Sequence, residues 1–135
     1  NCDACKLRHE GNRGPTRYSG DPASPLMFVG EGPGGVEDEY GVPLVGPSGQ
    51  LLDKALWSVG LTRDHVYVTN IVKCRPKNNR TPTLEEGKAC ANIHLVKEIG
   101  LVQPKVIVCS EGSLPVFLWP HGQHYAQQGK MVHLA

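Results

Sequence analysis

The chain has 135 residues, which is enough for one compact domain with its own core, and its formal net charge is +1. A net charge this close to zero excludes any argument from overall charge for binding to nucleic acid or membrane. The sequence has no apolar run long enough to span a bilayer and no signal peptide, so we expect no membrane partner and a cytoplasmic location. We expect residues 1–135 to form a single domain truncated at its C-terminus, because the sequence stops at Ala135 inside an apolar run.

Short apolar runs and amphipathic stretches alternate along the chain. Residues 26–29 form a continuous apolar run that ends at Gly30, which is typical of a buried strand. Residues 50–60 carry leucine and alanine on one helical face, and Thr83 with Glu86 forms a capping box for a later helix. In chain order the sequence predicts a strand at 26–29, a loop at 30–49, a helix at 50–60, a strand at 66–70, a basic loop at 73–82, a helix from 83 to about 100, a strand at 105–109, a short helix at 113–119 and a strand at 130–134.

This order of elements indicates an α/β fold. Strands that alternate with helices usually form a parallel sheet with the helices as crossover connections. We therefore predict three layers: a central parallel four-stranded sheet with helices on both faces. Ligands of such sheets bind at the carboxyl ends of the strands. The loops at 30–49 and 70–82 should lie at the same edge of the sheet and carry the functional site.

Four of the five cysteines have a spacing that is typical of a metal centre. Cys2 and Cys5 form a C-x-x-C pair, while Cys74 and Cys90 follow far downstream. Zinc sites more often use two close pairs, whereas iron–sulfur clusters accept four thiolates at more varied spacings. The residues alone leave zinc, an iron–sulfur cluster and free or disulfide-bonded cysteines open, and the absence of a secretion signal favours metal over disulfides. Cys109 lies in an apolar strand, where a buried cysteine behaves as a small apolar residue.

The first loop opens with the sequence Gly-Glu-Gly-Pro-Gly at residues 30–34, directly after a strand. Glycines at such a position let the backbone approach a ligand and expose its N–H groups. The segment matches neither the dinucleotide-binding fingerprint nor the P-loop, because the third glycine of the first and the Gly-Lys-Ser/Thr of the second are missing. Neither of these two modes of nucleotide binding is therefore predicted for this loop.

The second loop combines a polar side chain at a strand end with a cysteine and four cations. Asn70 ends the predicted strand, and Cys74 would fix the loop if it binds metal. The cations could contact phosphates, although a solvated basic loop explains the charges equally well. They are Lys73, Arg75, Lys77 and Arg80.

Three sequence blocks together resemble the iron–sulfur uracil-DNA glycosylases, called family 4. The blocks are residues 30–38, 41–53 and 69–80, and the resemblance runs from Cys2 to about Cys109. It implies the uracil-DNA glycosylase-like fold, DNA that contains uracil as the partner, and excision of uracil from that DNA in a prokaryotic or phage-infected cell. It also implies one [4Fe-4S] cluster, because the four cysteines stand where the family's cluster ligands stand. These ligands are Cys2, Cys5, Cys74 and Cys90.

The resemblance implies a role for individual residues. Backbone N–H groups around Glu31 and Gly32 would receive a carbonyl oxygen of uracil, and Glu31 matches the catalytic acid of the first block. Asn70 matches the asparagine that reads the polar edge of uracil, and Asn78 matches a residue that holds the attacking water. The basic side chains of the second loop, from Lys73 to Arg80, would contact the DNA backbone.

The chain departs from the family's pattern at two places. Leu44 stands where the family usually has the phenylalanine that stacks on uracil, and a leucine packs on a base without aromatic stacking. The family's His-Pro-Ser block does not occur in this sequence, and neither His124 nor His133 is followed by Pro-Ser, so we assign neither as catalytic.

Two other functions stay open, and the departures favour the first of them. One is a non-catalytic or truncated glycosylase-like iron–sulfur module that binds nucleic acid or a protein partner within a larger replication or phage protein. The other is a zinc-stabilised domain of unrelated function.

Overall fold

The computed structural model describes Cys2, residues 5–109 and residues 126–127 of the chain. Among the described helices there is no apolar segment of the length that a bilayer crossing needs. The strands are β1 (Ser19–Gly20), β2 (Leu26–Gly30), β3 (Tyr67–Asn70), β4 (Val106–Cys109) and β5 (Ala126–Gln127), and the helices are α1 (Gly35–Tyr40), α2 (Pro47–Ser58), α3 (Leu84–Cys90) and α4 (Val96–Val102). A π-helical segment, Ala91–Leu95, joins α3 to α4, and short 3-10 turns lie at Lys6–His9, Arg63–His65 and Lys77–Asn79.

The described strands form one sheet in the order β1-β3-β2-β4-β5. The four strands β3, β2, β4 and β5 run parallel, which confirms the predicted parallel four-stranded centre of the sheet. Strand β1 adds an antiparallel edge beside β3, with Ser19 opposite Val68. The sequence did not predict β1, because two residues in a polar, glycine-containing arm carry no alternating pattern. The predicted helix at 113–119 and strand at 130–134 lie outside the described residues.

Two separate groups of apolar side chains cover the two faces of the sheet. Residues alternate between the faces along a strand, so Met27 and Val29 lie on one side of β2, and Leu26 and Phe28 lie on the other. The first side packs against the segment from α3 to α4, chiefly through the fully buried Leu95. The second side packs against α2, where Leu52 and Leu56 meet Val66 and Val68. The predicted three layers are therefore confirmed.

The segment predicted as a loop at 30–49 contains helix α1 and the first turn of α2. The carboxylate of Glu37 accepts hydrogen bonds from the backbone N–H groups of Gly34, Val45 and Gly46, at 2.9, 3.0 and 2.6 Å. It thereby binds the N-termini of both helices, where negative charge is favourable. The prediction of a loop was wrong here because glycine and proline dominate the composition, although Pro47 at the first turn of α2 is a normal helix start.

The predicted capping box of α3 is confirmed, and the helical segment that it opens continues to Val102. Glu86 donates its backbone N–H to the Thr83 hydroxyl at 3.1 Å, and the Glu86 carboxylate accepts from the Thr83 N–H at 2.9 Å. The left-handed Gln103 ends α4 with φ of 51°. The π-helical segment inside this run was not predicted.

Strands β2 and β3 end at the same level, with Gly30 opposite Asn70. Two more backbone hydrogen bonds continue the pairing beyond the strands, from Ile71 N–H to the Gly30 carbonyl at 2.9 Å and from Val72 N–H to the Glu31 carbonyl at 3.0 Å. The two loops that were expected at one edge of the sheet therefore leave it side by side.

The N-terminal arm, residues 5–17, is attached along the basic loop by hydrogen bonds. These bonds reach every second residue of the loop, which resembles the spacing of a strand pairing. They are Thr16 N–H to the Lys73 carbonyl at 2.8 Å, Asn12 Nδ2 to the Arg75 carbonyl at 3.1 Å, and Lys77 N–H to Glu10 Oε1 at 2.8 Å.

Two glycine substitutions test the attachment of β1. Gly20 has φ of +91°, and an added Cβ would lie 1.8 Å from the Val66 carbonyl oxygen, so we expect Gly20→Ala to lower the free energy of unfolding by about 2–3 kcal/mol. Gly100 in α4 has open space around an added Cβ, so Gly100→Ala should raise it by about 0.5–1 kcal/mol through helix propensity. Urea denaturation measures both changes, and a Gly20→Ala protein as stable as the parent would contradict this account of the β1 edge.

Candidate active site

A cavity opens at the carboxyl ends of β2 and β3, between the glycine-rich loop, α2 and the basic loop. It contains most of the residues that the sequence predicted for base binding, together with parts of the basic loop. The predicted site residues that line it are Glu31, Gly32, Leu44, Asn70, Arg75 and Arg80.

Asn70 has a buried side chain whose hydrogen-bonding groups are both available. The residue is 2% exposed, and neither Nδ2 nor Oδ1 has a hydrogen-bond partner among the residues that the structure describes. A buried polar group without a partner costs about 1–3 kcal/mol, so native structures rarely contain one without a reason. An amide that offers one donor group and one acceptor into a cavity is suited to the polar edge of a planar ligand.

Two glycines of the first loop allow this close arrangement. A Cβ on Gly30 would lie 2.4 Å from Asn70 Oδ1, and a Cβ on Gly32 would lie 2.6 Å from Val72 Cγ2. Any side chain at these positions would displace the amide or separate the loop from the end of β3. The glycines are therefore required by the approach of the two loops.

Leu44 is held in an unusual backbone conformation at the cavity wall. Its φ is 51°, in the left-handed region that non-glycine residues seldom adopt. The Arg63 guanidinium donates to the Leu44 carbonyl and forms an ion pair with Asp53 Oδ1 at 2.7 Å. A Cβ on Gly49 would lie 1.9 Å from the same carbonyl oxygen. These contacts fix the position of Leu44. Asp53 ends the second sequence block, but the sequence assigned no role to it or to Arg63.

Asn78 and Asn79 face different parts of the surface. Both have φ of 56°, which asparagine tolerates better than most residues. Asn78, predicted to hold water, lines a neighbouring cavity with His9 and Glu10. Asn79 lines the cavity at the strand ends and accepts a hydrogen bond from Arg75 Nε at 2.8 Å.

The four cations of the basic loop occupy different environments. Lys77 is exposed, and Arg75 lies half-buried at the cavity. Lys73 is only 5% exposed, and burial lowers the pKa of its ammonium group while the Glu98 carboxylate opposes that shift. The remaining cation, Arg80, is engaged by two carboxylates.

Arg80 bridges the N-terminal arm and helix α3. Its guanidinium donates two hydrogen bonds to Glu86, both at 2.8 Å, and one to Glu10 at 2.6 Å. The guanidinium holds the pKa of the Glu86 carboxyl at about 2, well below its usual range. Arg80, one of the four cations that were predicted to contact DNA, is thus neutralised by carboxylates of the protein itself.

The cysteines that are distant in sequence meet around a second cavity under the basic loop, which we call the thiol cavity. Cys2, Cys5, Cys74 and Cys90 all line it, and so does His94 from the π-helical segment. Burial, followed by the neighbouring thiols, raises the pKa of Cys74 to about 12. Burial also raises the pKa of Cys90 to about 11. None of the five cysteines, all of which lie in the described part of the chain, forms a disulfide.

The thiols surround a space rather than a single point. Within the described residues no group of three or more His, Cys, Asp or Glu side chains could hold a single metal ion. His94 Nε2 is buried beside the thiols and has no hydrogen-bond partner in the part of the chain that the structure describes. The arrangement leaves an unused ring nitrogen next to the four thiols.

Comparison with known sequences identifies the family. A sequence model of the Uracil DNA glycosylase superfamily matches residues 18–132. The chain belongs to this superfamily. The match includes β1 to β4 and both loops that line the cavity at the strand ends.

Several relatives are named type-4 uracil-DNA glycosylase, which confirms the resemblance predicted from the sequence blocks. The protein from Pyrobaculum aerophilum is 46% identical over 108 residues, which are 80% of this chain and 54% of the relative. The protein from Archaeoglobus fulgidus is 44% identical over 108 residues, 80% of this chain and 53% of the relative. The protein from Thermotoga maritima is 46% identical over 107 residues, 79% of this chain and 55% of the relative. The chain thus spans about half the length of these relatives.

The Arg80 bridge predicts a pH dependence of stability. Because the pKa of Glu86 is lowered on folding, its ionised carboxylate stabilises the folded state above about pH 4.5, and this contribution disappears as the pH falls towards 2. We expect Arg80→Met to lower the free energy of unfolding at pH 7 by about 1–2 kcal/mol, and the difference from the parent to shrink as the pH falls through that window.

Urea denaturation at several pH values measures this difference. Lys88→Met, which removes an exposed cation from the same region, should leave both the stability and its pH profile nearly unchanged. A constant difference between parent and Arg80→Met from pH 7 to pH 2 would show that the ion pair is not its source.

Proposed function

We propose that the chain is the base-binding part of a uracil-DNA glycosylase, which hydrolyses the N-glycosidic bond of uracil after the nucleotide has flipped out of the DNA. The observation that carries this proposal is the buried, unpartnered amide of Asn70 at the edge of the cavity. The names of the relatives and the superfamily match support the same reaction. The enzyme would act in base excision repair.

The amide of Asn70 would read the base by hydrogen bonds. Uracil presents an acceptor at O4 and a donor at N3, whereas cytosine has a donor amino group at position 4 and an acceptor at N3. A fixed asparagine amide can pair with one of these patterns, and the other pattern would leave buried polar groups unpaired. The selectivity for uracil over cytosine would therefore come from a side chain that is already desolvated before the base arrives.

The remaining residues of the cavity would bind and polarise the base. Backbone N–H groups near Glu31 and Gly32 would donate to a carbonyl oxygen and stabilise the uracil anion that forms as the bond breaks. Leu44 would pack on the face of the base, and Glu31 would act as the acidic group of the site. The role of Asn78 in holding the attacking water stays a prediction, and Asn79 is the alternative because it lines this cavity.

A [4Fe-4S] cluster on Cys2, Cys5, Cys74 and Cys90 fits the second cavity. The donor set consists of four thiols that line one cavity, and four cysteine thiolates are the usual ligands of such a cluster. The unpartnered His94 Nε2 fits as well, because a ring N–H can donate to the sulfur atoms of a cluster. When bound, the cluster would supply structural cross-links between the N-terminal arm, the basic loop and α3.

DNA that contains uracil would be the partner of this site. Arg75 and the exposed Lys77 lie in the basic loop that borders the cavity, where phosphates of the flipped strand would pass. Arg80 would contribute less, because two carboxylates already neutralise it. The three relatives described above come from prokaryotes, and we infer a prokaryotic cytoplasm as the place of action. A module without catalysis is not favoured, since the three relatives described above are named as glycosylases.

The assignment of Asn70 predicts a loss of excision. We expect Asn70→Ala in the full chain to slow uracil release by about 10²-fold or more, because a preorganised hydrogen-bond partner is removed. Release is measured on a labelled oligonucleotide with one uracil. The exposed Asn92→Ala is the matched control and should behave as the parent. Equal rates for Asn70→Ala and the parent would remove Asn70 from the site, and an inactive parent would refute the proposed function.

The cluster assignment predicts a loss of iron from Cys74→Ser. The variant should contain less iron, lose the visible absorbance of the cluster and unfold more easily, because the free energy of metal binding contributes to folding. Cys109→Ala is the control, since the buried Cys109 on β4 is not among the residues that line the thiol cavity. An equally stable Cys74→Ser protein with its full iron content would exclude Cys74 as a ligand.

A further inference from the structure

Lys73 is the one cation of the basic loop whose ammonium group is buried, and it lies beside the residue that would read the base. Its Nζ donates to Thr69 Oγ1 at 2.6 Å and to the backbone carbonyl of Asn70 at 2.6 Å. It also forms an ion pair with the Glu98 carboxylate from α4. All three partners belong to β3 or to the helix that covers it, and none of them is a surface group positioned to meet DNA.

The Glu98 carboxylate that pairs with Lys73 is itself held in place. Its second oxygen accepts a hydrogen bond from the Tyr67 hydroxyl, and the Tyr67 ring stacks on Tyr18 with the centroids 4.7 Å apart. The ammonium group is therefore confined by Thr69 and Asn70 of β3 and by Glu98 of α4, which Tyr67 of β3 holds in place. A buried ion pair in which each charge has further hydrogen bonds has little freedom to rearrange.

The backbone of Lys73 connects this network to the thiol cavity. Lys73 lines that cavity together with Cys74 and Cys90, and its carbonyl accepts from the Thr16 N–H at 2.8 Å and hydroxyl at 3.2 Å. One residue thus lines the cavity of the predicted cluster ligands and holds the backbone of the predicted base-reading residue with its side chain.

We propose that Lys73 is a positioning residue for Asn70 and does not contact a DNA phosphate. The inference rests on the proposed function, and it gives a different role to a cation that the sequence alone assigned to DNA binding. The ammonium group holds the Asn70 carbonyl, which fixes the peptide plane at the end of β3 and with it the direction of the amide that faces the cavity. The same residue joins this strand end to the loop that carries Cys74. The thiol cavity and the cavity at the strand ends therefore share one rigid connection.

Three possible roles of Lys73 predict different measurements. A phosphate contact would weaken DNA binding and lower the slope of log K against log salt by about one, without changing the binding of free uracil. A purely structural role would lower stability but leave kcat and uracil binding unchanged in the folded protein. A positioning role would lower kcat and weaken the binding of free uracil, with the salt slope unchanged.

The test compares Lys73→Met with Lys77→Met in the full chain with its iron content restored, well below the unfolding temperature of each. We expect Lys73→Met to lower kcat by about 10-fold or more and to weaken inhibition by free uracil by a similar factor, with the parent's salt slope for binding to a uracil-free duplex. Lys77 is exposed and would contact phosphate, so its variant should lose about one from the salt slope. Lys88→Met, which removes an exposed cation of α3 outside the site, should keep the parent's kcat, uracil inhibition and salt slope.

A second variant covers the case in which Lys73→Met does not fold, because Glu98 would then be buried without a counter-charge. Lys73→Met with Glu98→Gln removes both charges, which is often neutral for stability, and should show the same loss of kcat and of uracil inhibition. If the parent is active and the variants keep its kcat and uracil inhibition, the positioning role alone is overturned. The same holds if the variants have a lower salt slope than the parent. A parent that releases no uracil would overturn the proposed function together with it.

Discussion

The parallel pairing of β2 with β3 is the constraint on which the site depends. Because the two strands end at Gly30 and Asn70, opposite each other, the loops that follow them must leave the sheet at one edge. The pairing continues by two backbone hydrogen bonds into the loops, so the glycine-rich segment lies along the end of β3. A side chain at Gly30 would collide with the Asn70 amide, and the closeness of the strands is thus directly tied to the chemistry at their ends.

The basic loop after β3 is shared by three parts of the molecule. It forms a wall of the cavity at the strand ends and carries Cys74 into the thiol cavity. Every second residue from 73 to 77 binds the N-terminal arm. Each of these contacts restricts the loop, so the cysteines, the arm and the cavity at the strand ends cannot move independently. A cluster in the thiol cavity would add covalent links to an arrangement that hydrogen bonds already define.

The charges of this loop show how differently similar side chains can be used. Lys77 is exposed and can meet a polyanion, whereas Arg80 is neutralised by Glu10 and Glu86 and holds the arm against α3. Lys73 is buried and paired with Glu98. Four cations in eight residues therefore do not amount to four phosphate contacts, because burial and acidic partners from distant parts of the sequence decide what each can bind.

Much of the fold was predictable because its signals are local. The apolar run before Gly30, the capping box at Thr83 and the alternation of strands with helices depend on neighbouring residues. Within the described residues, the structure confirms the strands, the two longer helical segments and the parallel sheet that they predict. Helix α1 was missed because a single carboxylate, Glu37, caps a segment whose composition indicates a loop. The edge strand β1 was missed because it is only two residues long and exists through its partner Val68.

The sequence by itself determined which residue types were available: four cysteines at a metal-like spacing, glycines after a strand, an asparagine at the end of another, and a family resemblance that covers them. Only the tertiary structure decided how they are used, because burial, partners and orientation arise from contacts between residues far apart in the chain. In the described part of the protein, folding leaves the Asn70 amide without a partner and separates Asn78 from the cavity at the strand ends. It also places Lys73 inside the protein. A sequence pattern records the identity and spacing of side chains, whereas their chemistry depends on the dielectric and the hydrogen-bond partners that folding gives them.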